Sequence, residues 1–321
     1  MKSCISKIRE LINKPILNSL LSKDHKKWIL MCGSLDAIQS AQMAVDGYNG
    51  LNEDNIRDIG PHLIIYGLLQ AFYVQQDAVS NMCNSMDIDL LKIEDIKTQH
   101  PELYEIRQLR NKGIGHPTPS SKYKISTHGM LIDNDFVKLF NYAETGKFSS
   151  AEYKISDCIE KQSQSLREIL QKAIEKMVSI EKEHKDKHKQ KKLRECFSCD
   201  HSYCFEKIFG AISLIETGKA AIVPEKIRFA LSKTKELIEA VDRFEGEITK
   251  RGLQDYDTSL VRLEIERSKY PLEKLKEYFS PDLKCPLNSQ DARAYADSAR
   301  INVLSLIEHA EILDNNYMST D

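Results

Sequence analysis

The chain has 321 residues, 41% hydrophobic and 29% charged, with a formal net charge of −2. This length allows two ordinary domains or one domain with large additions, the apolar content allows a core so that the whole chain need not be disordered, and the near-zero charge neither demands nor excludes nucleic acid, which needs only a local basic patch. The longest strongly apolar stretch, Leu63 to Val74, already contains Gln70, and the N-terminus lacks the unbroken apolar run of a signal peptide, so a cytoplasmic chain with mostly reduced cysteines is expected, with no membrane contact.

The first residues read as an amphipathic helix with Ile5, Ile8, Leu11 and Ile12 on one face. Residues 28–46 form a second apolar-rich helical segment, whose Trp28, the only tryptophan, is expected in the core. Gly60-Pro61 opens a third, with proline at the favoured first position, running to about Met86. It is apolar almost all round, the pattern of a central buried helix. Its Gln75, Gln76 and Asp77 must find partners. Either they reach the surface or neighbouring backbone, or Asp77 or Gln76 orients a functional side chain on a facing helix. A further helix starts at Pro101 and is predicted to stop at Gly113-Ile114-Gly115-His116-Pro117.

Residues 117–155 change character. Thr118 to Lys122 read as a loop, and Tyr123–Ser126, Phe136–Tyr142 and Lys147–Ile155 as short alternating stretches. With the Glu144-Thr145-Gly146 turn between two of them, they predict a small β-hairpin. From Ser156 a long helix is predicted by Ile159, Leu166, Ile169, Leu170, Ile174, Met177 and Ile180. It ends in the charged run 181–194, read as a solvated helix end or linker rather than an RNA-contacting patch, with His184 and His188 on its solvated surface. Amphipathic helices follow at 205–240, 258–279 and 291–313. The composition shift divides the chain into 1–192 and a helical C-terminal domain, 193–321, of open role. The expected fold is mainly α: an antiparallel helical bundle with a small β-hairpin insertion and that helical C-terminal domain.

Cys196, Cys199, His201 and Cys204 form C-x-x-C-x-H-x-x-C. These residue types can ligate zinc, but zinc sites usually draw ligand pairs from separated segments, and these four are crowded into one. No metal and no cofactor are expected.

The densest chemistry lies in RQLRNKGIGHP, residues 107–117. Six residues along a straight helix amount to about 240° of rotation, so Arg110 and His116 would not share a face. Gly113 and Gly115 allow the chain to leave the helix and fold back, and Pro117 restricts His116 to extended geometry. A guanidinium fork suits phosphate, an imidazole moves protons near neutral pH, and the Asn111 amide can orient either one. The trio suits attack of a ribose 2′-hydroxyl on its neighbouring phosphate, a step that requires no metal. Lys112 and Lys122 are candidate substrate-binding cations. Arg194 and His201 match the same loose spacing, but glutamate follows that arginine and no helix-breaking geometry accompanies it.

R-N-K-G-I-G-H resembles the signature of the HEPN superfamily, in which an arginine, commonly followed by a polar residue, precedes a histidine by four to six intervening residues. The resemblance implies a compact HEPN-like helical bundle and a metal-independent endoribonuclease of a toxin or phage-defence system. Arg110 and His116 would be the catalytic pair, Asn111 their support, and Asp77 or Gln76 second-rank orienting residues. It further implies RNA as substrate, a homodimer built across a two-fold, and an antitoxin or defence-system partner. Some HEPN toxins carry a tyrosine two residues after the histidine, where a partner attaches nucleotides; here that position is Thr118. The alternative is a non-catalytic helical module that binds RNA or protein.

Overall fold

The computed structural model describes residues 1–115, 126–133, 135–143, 148–219, 224–253, 260–280 and 287–318. Within these the chain is mainly helical with one three-stranded antiparallel sheet. It divides into two compact units: residues 1–11 with 24–178, and residues 12–23 with 179–321. The second unit therefore recruits a short segment from near the N-terminus, which composition did not foreshadow.

The first unit contains α1 (Lys2–Ile12), which ends at the boundary. After α2 (Pro15–Ser22), which belongs to the second unit, come α3 (His25–Asn49), α4 (Glu53–Ile59), α5 (Pro61–Ser85), α6 (Ile96–Gln99) and α7 (Pro101–Arg110). Local chemistry sets the ends. Asp24 accepts from the amides of Lys26 and Lys27 at the start of α3, and Asn52 and Asn55 form a reciprocal capping box on α4. Such caps contribute about 1 kcal/mol each. Gly60, at φ +104°, turns the chain into Pro61.

α3 and α5 pack along each other. Val45, Ile65, Leu68, Leu69 and Phe72 form a core with Ile106 and Leu109 of α7. The last three turns of α5 are buried nearly all round, whereas its first turns expose Leu63 and Tyr66. Gln75 and Gln76 are buried and tie helices together. Gln75 donates to Gln42 of α3 (3.1 Å), and Gln76 donates to the Leu103 carbonyl of α7 (3.1 Å). Both meet Gln162 of α8 (Ile155–His188): Gln76 donates to its oxygen at 2.8 Å, and its amide donates to Gln75 at 3.1 Å. A paired amide chain fixes helix register where apolar contacts alone would slide. Trp28, expected in the core, is only half-buried beside the exposed Ile29.

The predicted hairpin is one strand larger. β1 (Ser126–Asp133), β2 (Phe136–Ala143) and β3 (Phe148–Lys154) pair in order, with Met130 opposite Leu139 and Leu139 opposite Ala151. Val137 and Leu139 face the helical core, while Phe136, Tyr142 and Phe148 are exposed. The predicted stretch Tyr123–Ser126 and the turn Glu144-Thr145-Gly146 fall wholly or largely outside the described residues.

The second unit takes α2, the end of α8, a 3-10 turn (Leu193–Phe197), α9 (His201–Glu216), α10 (Pro224–Arg251), α11 (Leu260–Tyr278) and α12 (Ser289–Met318). Phe197, Phe205, Phe244, Leu237 and Leu306 fill its core, joined by Ile16 of α2. Buried Asp314 accepts from the amides of Leu193 and Arg194 (2.7 and 2.8 Å), satisfying the open end of the 3-10 turn. The end of α8 is largely exposed, as its charges predict, but not throughout. Glu181 is buried between Lys14 and Lys185, and His184 is half-buried with a ring nitrogen 2.9 Å from the Arg251 carbonyl. The cause is that α8 does not end free: Tyr317 of α12 and Arg251 of α10 close over its last turns. No described helix is long and apolar enough to cross a membrane.

Candidate functional site at the end of α7

The α-helix ends at Arg110, just before the predicted stop. α7 passes into a π turn, Asn111–Gly115. A π turn carries one more residue per hydrogen-bonded ring than an α turn, and often marks a functional position. Both glycines sit at close approaches. A Cβ on Gly113 would meet the Met130 sulfur of β1 at 3.1 Å, so the sheet presses on this turn. A Cβ on Gly115 would fall 2.6 Å from Nη1 of Arg110. The chain thus curls back until Gly115, the residue before His116, lies against the guanidinium. His116 and Lys122 themselves lie outside the described residues.

Arg110 is half-buried and held by neutral groups. Its Nε and Nη2 donate to Oε1 of Gln70 on α5 (3.1 and 2.8 Å), and Nη1 donates to Oδ1 of Asn111 (3.2 Å). Its guanidinium lies 4.3 Å from the centre of the Tyr73 ring. Among the described residues it has no carboxylate partner. Glu102, on the same helix, accepts from Ser165 at 2.7 Å.

Arg107, three residues earlier, shows the opposite arrangement. It lies 3.9 Å over the same ring, is buried, and pairs with Asp77 at 2.8 Å. Asp77 therefore serves Arg107, and Gln76 serves the amide chain of the core; neither contacts Arg110 or Asn111. Lys112 is exposed on the π turn. His128 of β1 sits close enough to sense it: burial first, then the Lys112 ammonium, hold that imidazole below its ordinary range.

Sequence reasoning missed Gln70, Tyr73 and His128. The first two were legible in principle, because Gln70, Tyr73 and Asp77 fall at three- and four-residue spacing on one face of α5. Beside them Ile29, Leu30 and Ala37 of α3 and Val74 of α5 line an open groove of about 500 Å³.

The second arginine–histidine match is occupied. Arg194 pairs with Glu311 at 3.0 Å and donates to the Phe197 carbonyl at 2.9 Å. Its cation is already neutralised, whereas that of Arg110 is oriented but not neutralised. No family model, curated protein or solved structure matches the chain.

Proposed function

We propose that the chain is a metal-independent endoribonuclease of the HEPN type that cleaves single-stranded or looped RNA. The observation that carries this reading is the state of Arg110: a half-exposed guanidinium fixed by Gln70, Asn111 and Tyr73, with no described carboxylate, and with the residue before His116 packed against it. Such a cation is preorganised for an anion, and a planar fork fits two phosphate oxygens.

In the proposed step the ribose 2′-oxygen bonds to phosphorus and its proton passes to a base. The bond from phosphorus to the 5′-oxygen breaks, and that oxygen takes up a proton. Arg110 supports the charge on the non-bridging oxygens, His116 moves a proton, and Asn111 holds the guanidinium plane. Lys112 and Lys122 draw in the backbone. Looped RNA is the natural substrate because its backbone can turn into the in-line geometry. The products are 2′,3′-cyclic phosphate and 5′-hydroxyl ends.

A single turn offers few groups to grip both sides of a phosphate. The reading therefore includes a homodimer, for which the exposed groove beside Gln70 and Tyr73 offers a surface. It also includes an antitoxin or defence-system partner that restrains the activity. The exposed Ile29 and Leu30 equally favour a second reading, a non-catalytic module whose groove receives a protein partner.

The test is incubation of purified protein with total RNA in EDTA, followed by end-group mapping. Wild type should yield the stated ends; His116→Ala and Arg110→Ala should yield none, and a 2′-deoxy substitution at the scissile ribose should block cutting. Cleavage by both variants at the wild-type rate would overturn the assignment. Binding of RNA or protein without cleavage by wild type would favour the module.

A further inference from the structure

The second unit holds a cluster that the proposed reaction does not use. Cys199 precedes α9, Cys204 lies in its first turn, and Glu236 reaches in from α10. One ligand atom from each lies within 4.8 Å of the other two. Cys204 is buried, and Cys199 and Glu236 are half-buried. We propose that Cys199, Cys204 and Glu236 form a binding site for a zinc-like divalent cation, with two thiolates, one carboxylate and a water as the fourth ligand.

The geometry needs little adjustment. Zinc–sulfur bonds of about 2.3 Å at the tetrahedral angle place two sulfurs about 3.8 Å apart, so the cluster must close by about 1 Å at most. Two soft sulfurs with one carboxylate favour zinc over magnesium or calcium, which take oxygen ligands. The ligands also come from two separate elements. The sequence motif C-x-x-C-x-H-x-x-C had suggested a set crowded into one segment, and the fold replaces half of it. The Cys196 side chain is buried in the hydrophobic core, and neither it nor His201 belongs to the trio.

Lys233 donates to Oε2 of Glu236 at 2.5 Å and holds the carboxylate in place. Asp200 accepts from the Tyr203 amide and fixes the first turn of α9 between the two cysteines. Without a cation the trio is a thiol pair: burial pushes the Cys204 thiol up to about 12. Uptake of the metal ion forms two metal–thiolate bonds and releases two thiol protons to solvent. The site belongs to the second unit and shares no residue with the proposed cleavage chemistry, so its test is independent of that reading.

The experiment is titration of the reduced, metal-free full chain with Co²⁺, a spectroscopic stand-in for zinc. One equivalent should produce a near-ultraviolet thiolate-to-cobalt charge-transfer band and tetrahedral visible bands, and Zn²⁺ should displace both. Cys199→Ser should remove about half of the charge-transfer intensity, and Glu236→Gln should weaken binding at least about tenfold while keeping the band. Cys196→Ser should change neither. Both diagnostic ligand variants alter half-buried positions, so the test does not depend on folding of a Cys204 variant. Absence of a charge-transfer band in the reduced wild type, or a band unchanged in Cys199→Ser, overturns the proposal.

Discussion

Two places in the molecule set an arginine against a tyrosine ring. In the first unit Arg110 lies 4.3 Å from the centre of Tyr73; in the second, Arg251 lies 4.9 Å from the centre of Tyr317. Arg251 is buried, donates to the carbonyl of Lys191, and has Glu247 at 3.8 Å. A histidine completes its surroundings, since the His184 ring stacks on Tyr317 at 5.8 Å. The same residue types therefore build two different devices. A cation over a ring contributes about 0.5–1 kcal/mol when exposed and about 2 when desolvated, so Arg251 gains more from its ring and has more to lose. Arg110 is half-exposed and held by neutral acceptors, which leaves its charge available to an incoming anion. Solvent access and counter-charge, rather than residue type, separate a site from a structural post.

Exchange of the two arginines for alanine should therefore give crossed results. Arg110→Ala should lower RNA cleavage by about 100- to 1000-fold, the scale for losing one preorganised donor of transition-state charge. Its effect on unfolding should be about 1 kcal/mol, from the lost ring contact and side-chain hydrogen bonds. Arg251→Ala should leave cleavage per folded molecule unchanged. It should cost about 2–4 kcal/mol in the unfolding transition of the second unit, because it empties a packed position and strands the Lys191 carbonyl. Cleavage rates and urea titrations on the two variants measure both columns. Parallel losses in both assays would break the comparison.

The sequence carried the helices better than their surroundings. Pro61 at the first position of α5, and the recurrent apolar residues of α8, are local signals that fixed type and near-boundaries. The amide chain was not legible, because the partner of Gln75 and Gln76 is Gln162, some 86 positions further along for Gln76. β1 was mostly hidden because Ser126–Asp133 contains glycine and histidine; pairing with β2 makes it a strand, rather than its own propensity. His184 and His188 were misread as solvated because charge pattern reports the face of one helix, not what another helix brings against it. At the candidate site Arg110 and Asn111 stood in the motif, while the expected return of His116 toward them lies outside the described residues. Gln70 and Tyr73, which hold the guanidinium, required the packing of α5 against α7.

Gly115 sharpens the comparison at smaller amplitude. Gly115→Ala places a methyl group 2.6 Å from Nη1 of Arg110, and the far end of that side chain must move aside. The charge stays but its aim changes. Cleavage should fall about tenfold, on the way to the loss seen in Arg110→Ala, while thermal unfolding stays near wild type. Gly113→Ala should do the reverse: it presses on Met130 under the sheet and should disturb packing more than the guanidinium. Equal activity in Gly115→Ala and wild type would mean that the orientation of Arg110 is not what the π turn secures.

The smallest expected effect concerns pH and the buried device. Burial holds His184 below the ordinary histidine value, and burial with the adjacent His184, Arg251 and Lys187 pushes His188 down to about 4. Tyr317 and the Arg251 carbonyl face the His184 ring; the carbonyl by itself favours the charged ring, and burial outweighs it. Both folded values lie below the unfolded value of about 6.5, so between about 6.5 and 4 the unfolded chain binds more protons. Stability from these groups is therefore fully present above pH about 6.5 and is lost as pH falls through that window. Urea titrations at pH 7.5 and 5.0 should show the second unit weakening at the lower pH. His184→Gln with His188→Gln should reduce that drop, since carboxylate contributions are common to both proteins and cancel in the difference. The proposed cleavage site in the first unit should not share the protection. An equal drop in wild type and the double variant would show that the histidines are solvated in the folded state, and that the charge pattern of α8 had described them correctly.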